Sequence, residues 1–161
     1  MTPPVRVAGP EDATVVARLL TEFRNHLGRN WPPEATIRAG VERLIARDDS
    51  EYLLGGAPAA GVVQLRYRYG IWWDAEDCAL EDLFVHAETR GSGLGRALVE
   101  AAIERARARG CRRIELDTAE ENEPALALYR SCGFRSGLDE PGRLGVFMRR
   151  RIPENIPPGV A

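Results

Sequence analysis

The chain contains no lysine: all 22 of its basic residues are arginine. A phosphate loop of the Gly-Lys-Ser/Thr type and an imine-forming lysine are therefore both excluded. Cysteine is sparse and scattered. Cys78, Cys111 and Cys132 make no Cys-x-x-Cys pair, which argues against a zinc site or a disulfide framework and fits a reducing, cytoplasmic setting. The two histidines, His26 and His86, are 60 residues apart and have no metal-ligand spacing, so no metal is expected. No apolar run approaches the ~18 residues that a membrane helix needs, and the opening residues lack the basic head and apolar core of a signal peptide; no membrane partner is expected. A net charge of -2 gives nucleic acid no bulk attraction, so no nucleic-acid partner is expected either.

What is present suits one compact domain: 161 residues, 44% hydrophobic and 29% charged. The domain is assigned to residues 1–152, with 153–161 as a loose, proline-rich tail. Residues 5–8 read as a short strand. Val15, Val16, Leu19, Leu20 and Phe23 give a helical stripe ending at Gly28, and Ile37, Val41, Leu44 and Ile45 give a second. Strands are expected at 52–54 and 61–69; the latter puts Val63, Leu65, Tyr67 and Tyr69 on one face and Gln64, Arg66 and Arg68 on the other. A mostly buried strand at 78–86 precedes a strong amphipathic helix from Leu94 to Gly110. A strand at 112–119, a helix from Asn122 to about Cys132 and a last strand at 146–152 complete a mixed α/β pattern with a partly antiparallel sheet.

Between the strand at 78–86 and its helix lies Arg90-Gly91-Ser92-Gly93-Leu94-Gly95-Arg96. A strand, a glycine loop and a helix start present backbone N–H groups and the helix dipole to an anion. Ser92 adds a hydroxyl, and Arg90 and Arg96 add positive charge. The dinucleotide fingerprint fails in both frames: counting from Gly91 its third glycine falls on Arg96, and counting from Gly93 it falls on Leu98.

The segment from Leu80 to Ala102, "LEDLFVHAETRGSGLGRALVEAA", resembles the acetyl-CoA-binding segment of the GNAT superfamily of N-acetyltransferases, with Arg90, Gly93 and Gly95 in its Arg/Gln-x-x-Gly-x-Gly/Ala positions. A second segment, "NEPALALYRSCGF" from Asn122 to Phe134, resembles the later block of the same family. The spelling Leu-Glu-Asp after the Trp72-Trp73 loop is most similar to the diamine and polyamine N-acetyltransferase branch.

The resemblance implies a GNAT fold: a mixed central sheet with a splayed, V-shaped gap between strands, flanked by helices. It implies acetyl-CoA as co-substrate, with pyrophosphate on the loop Arg90, Gly91, Ser92, Gly93, Leu94, Gly95 and Arg96. It implies that the pantetheine arm pairs with the backbone of Leu83, Phe84 and Val85 and meets Asn122 and Ala125; a pure helix cap is the alternative role for Asn122. Tyr129 is the implied general acid for the departing thiolate, against a plain core aromatic. Glu81 is the best candidate for general base; simple alternation puts it on the face of Leu83 and Val85. A structural pair with Arg66 or Arg68, or a base role for His86, stands beside that reading. Trp31, Trp72, Trp73 and Asp74 are candidates for a pocket that takes a small cationic amine. The expected protein is a homodimeric N-acetyltransferase acting by direct attack of a primary amine. An acyl-CoA sensor on the same fold is the alternative, with an NAD(P)-binding domain as a remote third.

Overall fold

The computed structural model describes residues 1–137, 148 and 150. Within them the chain runs β1 (Val5–Val7), α1 (Ala13–His26), α2 (Glu34–Ile45), β2 (Ser50–Gly55), β3 (Gly61–Gly70), β4 (Ala75–Val85), α3 (Leu94–Ala108), β5 (Arg113–Glu115) and α4 (Glu123–Ser131). The strand expected at 146–152 and the tail at 153–161 lie outside the described residues, except for Met148 and Arg150, neither of which is in a strand.

The sheet order is β1-β2-β3-β4-β5. The first four strands are antiparallel neighbours, and β5 runs parallel to β4 after a crossover through α3. The sheet is mixed and open. Each face buries its own core. Val63, Leu65, Tyr67, Cys78 and Leu80 pack under α3, whereas Tyr52, Leu54, Val62 and Phe84 pack under α1 and α2. The apolar stripes of the helices match these faces: α1 buries Ala13, Val16, Ala17 and Leu19, and α3 buries Leu94, Leu98, Ala102 and Ala106 among others.

Two glycines set how close α3 sits to the sheet. A Cβ on Gly55 would lie 2.7 Å from Leu94 Cδ1, and one on Gly61 would lie 2.8 Å from Leu98 Cδ1. Leu94 and Leu98 thus rest directly on strand backbone, which fixes the first turn of α3 beside the end of β4. On the opposite side, Asp12 anchors the entry to α1. Both of its oxygens accept from Arg6 at 2.6 Å, and one also accepts the Gly9 N–H at 2.9 Å. The hydrogen bonds from Arg6 lead in pulling the Asp12 carboxyl down to about 2.

The sequence expects β5 at 112–119, but the ladder holds only Arg113–Glu115. That early departure shapes everything around the second half of β4.

Candidate active site

β5 pairs with β4 over Asp77, Cys78 and Ala79 only. From Leu80 to Val85 that edge of β4 has no strand partner among the described residues. Period-two alternation decides which backbone groups face the opening. The His86 N–H donates to Ala60 O at 2.8 Å, toward β3. The backbone groups of Phe84, opposite Val62, therefore also face β3, and those of Leu83 and Val85 face the opening. Arg90 Nε donates to the Val85 carbonyl at 3.2 Å from the same side. The expectation that Phe84 offers its backbone alongside its neighbours is corrected accordingly. Its contribution is its ring, which stacks on Phe23 with centroids 5.4 Å apart.

A β-bulge interrupts β4 just before this edge. The register passes from Gln64↔Glu81 to Val62↔Phe84, so β4 spends one residue more than β3. Asp82 carries the kink at φ 52, the left-handed region that Asp tolerates better than most residues. The extra residue reverses the face of everything upstream. Glu81 lies with Gln64 and Phe84 on the α1/α2 side, while Leu83 and Val85 pack on the α3 side. Simple alternation, which puts Glu81 on the face of Leu83 and Val85, is therefore wrong here, because the bulge shifts the parity.

Glu81 and Asp82 both open to solvent, yet enough protein surrounds the carboxyl of Glu81 to raise it above the usual range. Desolvation leads that shift, the neighbouring Asp82 adds to it, and the charge of Arg66 opposes it. No ion pair holds Glu81 to Arg66 or Arg68; Arg68 instead reaches Glu115 at 3.4 Å. Nearby, Glu22 Oε2 lies 3.7 Å from His86 Nε2, and an Arg90 terminal nitrogen lies 3.3 Å from His26 Nε2.

On the α3 side the glycine loop takes the shape an anion needs. Gly91 and Gly93 have φ of 77° and 86°, and a Cβ on either would point into open space. The first helical bond is Ala97 N–H to Gly93 O at 3.0 Å, so the N–H groups of Leu94, Gly95 and Arg96 lead the helix with no carbonyl to meet. Leu94 contributes this N–H alone, since its side chain is core. Ser92 donates its hydroxyl to Thr89 O at 2.6 Å, which tightens the loop. Arg96 turns along α4 to Ser131 Oγ at 2.8 Å. Gly95 sits against Leu128 and Val85, which brings α3, α4 and the open end of β4 together.

The sequence profile of the Acetyltransferase (GNAT) family matches residues 16–134. The chain belongs to the GNAT family. It is 31% identical to aminoglycoside N(6')-acetyltransferase type 1 of Stenotrophomonas maltophilia over 82% of this chain and 86% of that protein. The structure of a protein of Arthrobacter sp. FB24, described as an acetyltransferase, superposes with a TM-score of 0.82 at 29% identity, covering 94% of this chain and 96% of that one. AAC(6')-Iy, solved with a bisubstrate analog of CoA and acetylneamine, shares the fold with a TM-score of 0.74 at 22% identity, covering 94% of this chain and all of the other. The family places the protein among the acyltransferases.

Within this GNAT frame the remaining expected residues divide. Tyr129 is buried, 9% exposed, in the α3-side core. It meets Phe134 edge-on at 5.8 Å, and burial raises its phenol, which keeps it protonated. Asn122 caps α4 by accepting the Ala125 N–H at 3.4 Å, so that N–H is spent on the cap and the capping role of Asn122 is present. Trp31 lies on the α1–α2 connection and is exposed. Trp72, Trp73 and Asp74 do not reach the site. They form the tip of the β3–β4 hairpin, and Asp74 stands seven residues of strand from Glu81, about 23 Å at the usual rise. Asp74 accepts from the Tyr69 hydroxyl at 2.8 Å, and Arg112 lies over the Trp73 ring at 4.4 Å. The aromatic and acidic character of Trp72, Trp73 and Asp74 suits a pocket for a cation, but strand length carries the tip away. Among the described residues no group of three His, Cys, Asp or Glu could hold a metal.

The loop geometry carries one direct expectation. Gly93→Val forces a β-branched residue to φ 86 and projects it into the open space over the helix start. Titration calorimetry with CoA should show binding lost. Gly110→Val, equally strained at φ 80 but at the far end of α3, should leave it intact. Unchanged CoA affinity in Gly93→Val would remove the loop from the site.

Proposed function

We propose that the protein transfers acetyl from acetyl-CoA to a primary amine of a small molecule that arrives as its ammonium cation. The observation that carries this is the pairing of an open strand edge, at Leu83 and Val85, with free helix-start N–H groups at Leu94, Gly95 and Arg96. In this reading the loop from Gly91 to Arg96 holds the pyrophosphate, and the pantetheine arm extends β4 as an added strand. The N–H of Leu83 or Val85 polarises the thioester carbonyl.

The acceptor approaches from the α1/α2 side, where Glu81, Asp82 and Glu22 supply negative charge. Glu81, through a water, takes a proton from the ammonium. The amine nitrogen then attacks the carbonyl carbon, and the tetrahedral intermediate gives up its surplus N–H proton to water and collapses with cleavage of the C–S bond. Tyr129 gives its proton to the sulfur and regains one from solvent. The raised carboxyl of Glu81 suits a base that works nearer neutrality than an ordinary glutamate.

The reaction is followed as free thiol released from acetyl-CoA over a panel of amines. Tyr129→Phe should lower kcat by roughly 10–10³-fold with acetyl-CoA affinity kept; an unchanged kcat would exclude the phenol as acid. A base acts when deprotonated, so activity should rise with pH through a limb above the ordinary carboxylate range, and Glu81→Gln should abolish that limb. An unaltered pH profile would assign the base to another group.

We also propose a homodimer formed through the hairpin tip. Tyr69, Ile71, Trp72 and Trp73 are 58%, 77%, 90% and 61% exposed. At ~150–250 Å² per aromatic side chain they present about 600 Å², close to the ~800 Å² per partner of a stable interface. A two-fold axis would bury the patch against itself. Light scattering should give a dimer that Trp72→Arg dissociates; a monomeric parent protein would contradict the proposal. We place the protein in a reducing cytoplasm, a reading supported by three unbridged, widely spaced cysteines.

A further inference from the structure

Arg66 sits in the middle of β3 on the same sheet face as Glu81. Its cross-strand neighbours are small on both sides, Ser50 on β2 and Ala79 on β4. Glu81 is diagonal to it, at the ~7–8 Å typical of such positions. The residue is half-buried, and its Nε is fully buried with no hydrogen-bond partner. Among the described residues its guanidinium forms neither hydrogen bond nor ion pair. Arginines around it are all engaged: Arg68 with Glu115, Arg105 with Glu51, Arg109 with Glu76 and Arg112 with Asp77.

A partly buried cation without an anion is costly, and acids are within electrostatic reach. The charge of Arg66 acts on Glu81, Tyr52 and Asp49, holding each lower than burial alone would. None of these closes on it. Pairing with Glu81 would also hold that carboxylate down and spoil it as a base, so the separation keeps both groups available.

We infer that Arg66 is the anchor of an anion subsite that takes a carboxylate of the acceptor, so that the substrate is an amino-acid-type molecule with its amine at Glu81 and its carboxylate at Arg66. This rests on the acetyl-transfer reading. The unspent terminal N–H donors of the planar guanidinium match a carboxylate through paired hydrogen bonds. The small side chains of Ser50 and Ala79 leave the sheet surface low beside it. The acids at Glu81 and Asp82 and the cation at Arg66 then give the groove two poles, which orient a zwitterionic chain and discriminate against a diamine of the same length.

The test uses matched ligands that differ by one carboxylate: γ-aminobutyrate against propylamine, ε-aminocaproate against pentylamine, and free lysine against cadaverine. Binding to the CoA-saturated protein is measured by calorimetry. The carboxylate-bearing member of at least one pair should bind roughly 10–100-fold tighter. Arg66→Met should collapse that ratio to near unity, Arg66→Gln should do the same, and Arg66→Lys, which keeps the charge and loses the fork, should fall between. CoA affinity and Tm of each variant report its folding. Equal affinities within every pair, or a ratio that survives Arg66→Met and Arg66→Gln, would overturn the subsite. Thiol release separates the two readings: alkylamines turned over with no carboxylate preference remove the subsite alone, and carboxylate-selective binding with no thiol release from any acceptor keeps it and removes the transfer.

Discussion

The site depends on one constraint: among the described residues β4 has a full neighbour on one side and, past Ala79, none on the other. Backbone donors and acceptors left open in a sheet must find partners. Here the groups concerned are few, those of Leu83 and Val85, and one of them, the Val85 carbonyl, is held by Arg90. An extended ligand with its own amide groups would satisfy the rest. The close seat of α3 on Gly55 and Gly61 then places the glycine loop at the end of that same edge. In the proposed reading, a cofactor with an amide-bearing arm and a pyrophosphate meets both halves of the site at once.

The bulge at Asp82 divides labour between the two faces of the sheet. Without it, Glu81 would project to the α3 side with Leu83 and Val85, beneath the cofactor. With it, the carboxylate stands on the α1/α2 side, where an acceptor can approach the carbonyl from the face opposite the helix loop. Arg66 shares that side, and its position over Ser50 and Ala79 gives the acceptor groove a second pole. The reaction needs a proton acceptor on one side of the thioester and a proton donor on the other. Glu81 and Tyr129 belong to opposite layers of the fold.

Much of this was legible in the sequence, for physical reasons. The loop at Gly91 and Gly93 declares itself because positive φ selects glycine, and α3 because its apolar stripe repeats at helical spacing. The bulge was hidden because its left-handed residue is Asp82, and no glycine flags the break in alternation. Alternation alone accordingly puts Glu81 on the wrong face. The length of β5 was also hidden: residues after Glu115 alternate well, but pairing ends where the neighbouring strand diverges, which is a tertiary fact. Trp72 and Trp73 are close to the site in sequence and far from it in space, because the paired part of β4, residues 75–79, lies between hairpin tip and opening. Asn122 shows its capping role in the cap itself.

Amide hydrogen exchange, resolved residue by residue with and without CoA, tests the central claim most directly. The amides of Phe84 and His86 are already bonded to β3, and those of Leu83 and Val85 face an edge with no strand partner among the described residues. CoA should therefore slow exchange at Leu83 and Val85 strongly and leave Phe84 and His86 nearly as they were. Leu83 and Val85 amides that are protected before CoA is added, or that do not respond to it, would contradict the open edge on which the site is built.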